Sequence, residues 1–196
     1  SGAFVSRFDL EQLNQTLVKQ TLTFDSGQAD LRLAFKTDVV NLEMQKPFLI
    51  GSVVIQNASG THISSKKKFN NSSVDLSFTS KELKVNQIEL NTQNSALKMK
   101  GQSDNFLNFY YDTPEKIQVN WNIQAQRIDL RDFSFGSEKA ASIKKSTKIT
   151  PNVINILHQS NATINLRAEN IVYKKFRARN AIAQIKIVPD RTILKE

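Results

Sequence analysis

A chain of 196 residues, 39% hydrophobic and 23% charged, is long enough for one large folded domain with its own core. It has no cysteine, which excludes disulfides, thiolate metal sites and a cysteine nucleophile, and its formal net charge of +9 points to an anionic partner. No apolar run approaches the roughly 18 residues that a membrane-spanning helix needs, and the opening SGAFVSRFDL lacks the form of a signal peptide.

The first predicted element is a helix over residues 9–19. Asp9 stands where a cap belongs, with Gln12 three residues on, Phe8 and Leu13 form a hydrophobic staple, and Leu10, Leu13 and Leu17 share a face. From Thr21 onward the apolar period becomes two. TLTF, DLRLAFK, LEMQ, FLIGSVVIQN, SVDLSFT, ELKVNQIELNT and SALKMKGQS read as strands, with turns predicted over residues 25–27, 57–60, 70–73 and 91–95.

After the irregular NFLNFYYDTPE comes KIQVNWNIQAQRIDL, in which Ile117, Val119, Trp121, Ile123 and Ala125 face away from Gln118, Asn120, Asn122 and Gln124. Residues 136–148 read as a small, basic loop, and Thr150-Pro151 opens a short helix over residues 151–159. Two more strands follow. Ala162, Ile164, Leu166 and Ala168 alternate with polar residues, the pattern breaks around residues 174–179, and it resumes with Ala183, Ile185 and Ile187. The sequence stops at Glu196 in mid-pattern, so it reads as a piece of a longer chain.

Strands follow strands with no helices between them, which rules out a doubly wound α/β fold. The expectation is an all-β domain over residues 1–196, mainly β with two short helices, built on a long, curved, mostly antiparallel sheet shaped like a groove. The alternatives are two lobes, residues 1–135 and 151–196 joined by a basic loop at 136–150, and a closed β-sandwich.

Catalytic motifs are absent. His62 and His158 lie far apart, and there is no HExxH, GxSxG, glycine-rich phosphate loop or metal-ligand spacing. Asp129 and Asp132 alternate with Arg127 and Arg131 and read as solvated charge. No catalytic, cofactor-binding or metal residue is therefore predicted, and no enzymatic role. The basic clusters at Lys66, Lys67 and Lys68 and at Lys174, Lys175 and Arg177 have the charge to meet phosphates. Single-strand nucleic-acid binders interleave such charges with stacking aromatics. Here Phe24, Phe35, Phe78 and Trp121 keep company with Leu, Ile and Val instead, which argues against a nucleic-acid partner.

Two segments resemble the AsmA-like family. SKELKVNQIELNTQNSALKMKGQSDNF is similar to its recurring strand unit, with Leu83, Val85, Ile88, Leu90, Ser95, Leu97, Met99, Gly101, Asn105 and Phe106 in place. Residues 161–187 resemble its C-terminal unit through Ala162, Ile164, Leu166, Ala168, Ile171, Tyr173, Phe176, Ala178, Ala181, Ala183, Ile185 and Ile187. The resemblance implies a periplasmic protein of Gram-negative bacteria, anchored to the inner membrane through segments not in this chain, whose groove-like sheet serves phospholipid transport and outer-membrane biogenesis. An acyl chain offers no hydrogen bonds, so such a groove needs a continuous apolar lining and no reactive groups. Strand alternation names the lining candidates as Leu33, Phe35, Val53, Ile55, Leu76, Phe78, Leu97, Met99, Val119, Trp121, Ile123, Leu166 and Ile185. The lysine clusters and Arg177 are the headgroup candidates. The rival expectation is a structural or adhesion module, a β-sandwich that binds a protein or carbohydrate through its loops.

Overall fold

The computed structural model describes residues 1–16, 21–36, 39–40, 43–44, 48–109, 117–133, 160–188 and 191–195. Wherever the sequence alternates β-branched or aromatic residues with polar ones, the chain is extended. The strands are β1 (Gly2–Asp9), β2 (Leu22–Lys36), β3 (Val39–Val40), β4 (Glu43–Met44), β5 (Phe48–His62), β6 (Lys67–Thr79), β7 (Glu82–Asn91), β8 (Ala96–Asp104), β9 (Gln118–Asp129), β10 (Asn161–Tyr173), β11 (Phe176–Val188) and β12 (Arg191–Lys195). Ten of them form one open sheet in the order β1-β2-β5-β6-β7-β8-β9-β10-β11-β12, while β3 and β4 make a separate two-stranded hairpin.

Every neighbouring pair in the sheet is antiparallel except β9 and β10, which run parallel with Val119 beside Ala162 and Ala125 beside Ala168. That pairing joins residues on either side of the 136–150 segment into a single sheet. The described elements therefore make one open sheet, and two sheets packed face to face are not seen among them. Successive hairpins pair side by side and the first and last strands never meet.

The sequence and the structure part company in three places. The stretch predicted as a helix from residue 9 is preceded by a strand that the sequence reading missed. Among the described residues the helix is a 3-10 turn, Leu10–Gln12, and an α-helical stretch, Leu13–Thr16, and Asp9 makes no side-chain capping bond to it. Its predicted end at residues 17–19, with Leu17, lies outside the described residues. The predicted staple partners Phe8 and Leu13 both pack on the cluster of Leu10, Ala29 and Ala58. Three of the four predicted turns lie inside strands: residues 25–27 belong to β2, 57–60 to β5 and 70–73 to β6. They are bulges, where the register shifts by a residue. Only 91–95 turns the chain. The predicted 136–148 loop, the 151–159 helix and His158 lie outside the described residues.

Among the described residues the core is three small clusters on one face. Leu10, Ala29 and Ala58 form the first; Leu97, Ala125, Ile128 and Ala168 the second; Ile117, Val119 and Ala162 the third.

Candidate functional site

Alternation gives every strand two faces, and the register decides whether those faces line up. Here they do. Starting at the β1 edge, one line of paired residues runs Phe4, Leu33, Gly51, Phe78, Leu83, Ser103, Val119, Ala162 and Ile187, crossing nine strands. A second runs through Leu31, Val53, Leu76, Val85, Trp121, Ile164 and Ile185, and a third through Phe8, Ala29, Ile55, Val74, Ile88, Met99, Ile123, Leu166 and Ala183. With strands about 4.8 Å apart, this apolar belt is about 38 Å long.

Glycines in the belt are covered by rings from the next strand. A Cβ on Gly51 would lie 2.7 Å from the Phe78 ring, and one on Gly101 would lie 2.6 Å from the Trp121 ring and collide with the Asn120 carbonyl. The aromatic rings thus lie across the backbone and keep the belt apolar where the chain itself has no side chain.

All the lining candidates, from Leu33 to Ile185, fall on this one face. Leu97 and Val119 are buried, Phe35 is exposed, and the rest are half-buried. At one end of the strands, two turns fold over the belt's margin. Leu10 packs on Ala29 and Ala58 from β2 and β5, and Phe133, from the 3-10 turn Leu130–Phe133, packs on the Leu97, Ala125 and Ala168 cluster. Ser103 Oγ is buried on the same face without a hydrogen-bond partner among the described residues.

The opposite face is polar. Gln184 Nε2 donates to Asn165 Oδ1 at 3.0 Å, and Asn165 Nδ2 donates to Asn122 Oδ1 at 3.0 Å, a ladder across three strands. A depression of about 560 Å3 lies here, lined by Asn122, Gln124, Asn165, Arg167, Ile182 and Gln184. Ile123, Leu166 and Ala183 also line it, so its wall mixes amide and guanidinium groups with apolar side chains.

Both headgroup clusters sit at the same end of the sheet. Lys66, Lys67 and Lys68 occupy the β5–β6 turn and the start of β6, where with Asn94, Arg131 and Asp132 they line a depression of about 620 Å3. Lys174, Lys175 and Arg177 occupy the β10–β11 turn and the start of β11. The two clusters are not brought together, because four strand spacings, about 19 Å, separate β6 from β10.

Asp129 and Asp132 are not the solvated charges that alternation suggested. The Asp129 side chain is closed to solvent, and Arg131 meets it with two bonds, Nε to Oδ1 at 2.9 Å and Nη2 to Oδ2 at 2.5 Å. Those bonds outweigh burial and hold its carboxyl down to about 2. Burial alone would raise Asp132, but it accepts from Thr92 Oγ1 at 2.6 Å, Ser95 Oγ at 2.8 Å and the Asn94 backbone N–H at 3.2 Å, and its carboxyl is lowered. The Asp132 carboxylate thus ties the turn after β9 to the β7–β8 turn. The Asp129 carboxylate holds Arg131 in that same 3-10 turn, and the Asp129 backbone N–H donates to Ser95 Oγ at 2.9 Å. His62 Nδ1 lies 2.8 Å from Ser65 Oγ and accepts the Ser65 N–H, closing its own hairpin.

No group of His, Asp or Glu suited to a metal occurs among the described residues, and none of their helices is long and apolar enough to cross a membrane. Comparison with family models, curated proteins and solved structures gave no match.

Proposed function

We propose that this chain is a non-enzymatic lipid-carrying domain, the periplasmic part of an AsmA-like protein held at the inner membrane, which lays phospholipid acyl chains along its apolar face on the way to the outer membrane. One observation carries the reading: the apolar belt is continuous across nine strands and stays half-exposed over most of its length. A monomeric protein rarely leaves a contiguous apolar surface of that extent facing water unless something is meant to lie on it.

The dimensions suit an acyl chain. The belt's length of about 38 Å exceeds the roughly 15 Å depth of one leaflet's hydrocarbon. A chain on an open face is dried on one side only. At about half of 0.8 kcal/mol per methylene, a dozen methylenes would contribute about 5 kcal/mol. That is enough to retain a lipid and little enough to let it slide. The apolar lining supports the reading, and the lysines and Arg177 at one end of the strands supply charge for phosphate headgroups.

The test is native mass spectrometry with organic extraction, on protein purified from a bacterial host without detergent. Near-stoichiometric phospholipid is expected. Trp121→Glu and Ile185→Glu, on the belt, should lose it in protein that keeps its melting transition. Ile182→Glu, on the polar face of the same β11 and already 64% exposed, should keep it. A lipid-free mass with no uptake from liposomes would overturn the reading in favour of a structural or adhesion module that covers the face with protein.

A further inference from the structure

Between Ala168 and Ile171 the alternation of β10 skips a residue, and its neighbours skip with it. On β9 the apolar side passes from Ala125 to Ile128, and on β11 from Ala181 to Ala178. Ile128 and Ile171 pack in the same cluster as Ala125 and Ala168, so the apolar face is restored beyond the break. On β11 the skip occurs at Asn180, whose φ of 51° is a left-handed conformation that asparagine accepts more readily than most residues.

The break has a chemical result. Under plain alternation Arg127, Asn170, Arg177 and Arg179 would point into the apolar belt. Instead all four stand on the polar face. Arg127, Asn170 and Arg179 are consecutive partners across three strands, and Arg177 lies two residues along β11. The outer pair are two strand spacings, about 10 Å, apart. Together with Val172 they line a depression of about 340 Å3.

The side chains of these three arginines make no hydrogen bond or ion pair with any described residue. Arg127 feels Asp129, but that carboxylate is already held by Arg131. Glu169, the nearest acid along β10, lines a different depression with Lys98 and Arg167. Lys174 and Lys175 in the adjoining turn add two more positive charges. Clustered guanidiniums repel one another, and a planar fork of donors is matched best by a phosphate group, two of whose oxygens accept the two parallel N–H bonds, one each.

We propose that Arg127, Arg177 and Arg179, arranged around Asn170 by the shared break in β9, β10 and β11, form a phosphate-binding site on the polar face. Its ligand is a phosphate group, carried either by an anionic phospholipid headgroup at a membrane surface or by a soluble phosphate compound. The site stands apart from the apolar belt and does not rest on the lipid-carrying reading.

The experiment uses the whole chain with two probes: vesicles of phosphatidylglycerol with phosphatidylcholine, read by sedimentation, and inorganic pyrophosphate, read by the NMR shifts of the arginine Nε–H groups. The triple variant Arg127→Gln, Arg177→Gln, Arg179→Gln is compared with Lys81→Gln, Lys84→Gln, Lys100→Gln, which removes the same charge elsewhere. All six side chains are exposed, and circular-dichroism melts check folding. Each basic residue near an anionic surface accounts for roughly fivefold in affinity, so the arginine triple should lose roughly 100-fold and the lysine triple much less. Arg→Lys at the same three positions should recover only part of the loss, as a fork differs from a point charge. Selective loss for vesicles assigns a headgroup; selective loss for pyrophosphate alone assigns a soluble ligand. Equal losses in the two triples, or no binding of either probe, would overturn the site. Trp121→Glu should leave phosphate binding unchanged, so this site and the acyl-chain reading fail or stand separately.

Discussion

At the scale of single residues the most consequential group is Asp129. Its side chain is buried while that of its partner Arg131 is 55% exposed, so the pair is screened from one side only. A carboxylate held down to about 2 in the folded protein stabilises it at any pH above the unfolded value of about 3.9. That contribution is lost as pH falls through the window from about 4 to about 2. Asp132, also lowered, adds to the same slope. Asp129→Asn should lower the melting temperature at neutral pH by several degrees. It should also flatten the fall in stability below pH 4, so that the variant and the parent converge near pH 2. Thermal melts across that range check it, and a constant gap between the two would show that Asp129 acts through packing and not through charge.

At the scale of elements, the strands were largely legible and their interruptions were not. Every lining candidate landed on the same face because alternation is a strict rule within an unbroken strand. Asn57, Asn71 and Asn180 show where the rule stops. All three have positive φ, as do Lys66 and Lys174, which sit at real hairpin turns. The same left-handed asparagine serves a turn or a bulge, and the local sequence is alike in both. Only the neighbouring strand distinguishes them, by continuing past the bulge in a shifted register. For the same reason Arg127 and Arg179 were not among the phosphate candidates named from sequence, since the coordinated break that gathers them spans three strands. Asp129 was misread because its partner is reached through the 3-10 turn that follows β9, which alternation does not foretell. Asn180→Ala should destabilise the protein by about 1 kcal/mol and Asn180→Gly by less, because glycine accepts the left-handed conformation freely. Urea midpoints measure the difference, and an equal cost for both would place the contribution in the side chain and not in the backbone.

At the scale of the whole molecule, the sheet is open, with β1 and β12 as its two edges among the described residues. An open edge presents unpaired backbone groups that can recruit another strand. β1 is poorly protected: Val5 is 75% exposed and Phe4 51%. The chain should self-associate as its concentration rises, and Val5→Lys should weaken that association by placing a charge on the edge. Sedimentation velocity at several concentrations tests this, and unchanged association in the variant would direct attention to β12 or to the apolar belt. The belt and the edges make separate demands, since one must stay open to a ligand and the other closed to a second strand.

The parallel pairing of β9 with β10 also sets a clock. Each antiparallel neighbour in the sheet is close in sequence and can zip up as a hairpin, whereas β10 begins at the end of the sheet opposite to where β9 finishes. Two ribbons, β1 to β9 and β10 to β12, can therefore assemble from local contacts, and their union waits on one long-range closure with its larger entropic barrier. Refolding should be paced by that single seam, and the freshly made chain would spend its slowest interval as two half-sheets with an unsatisfied edge between them.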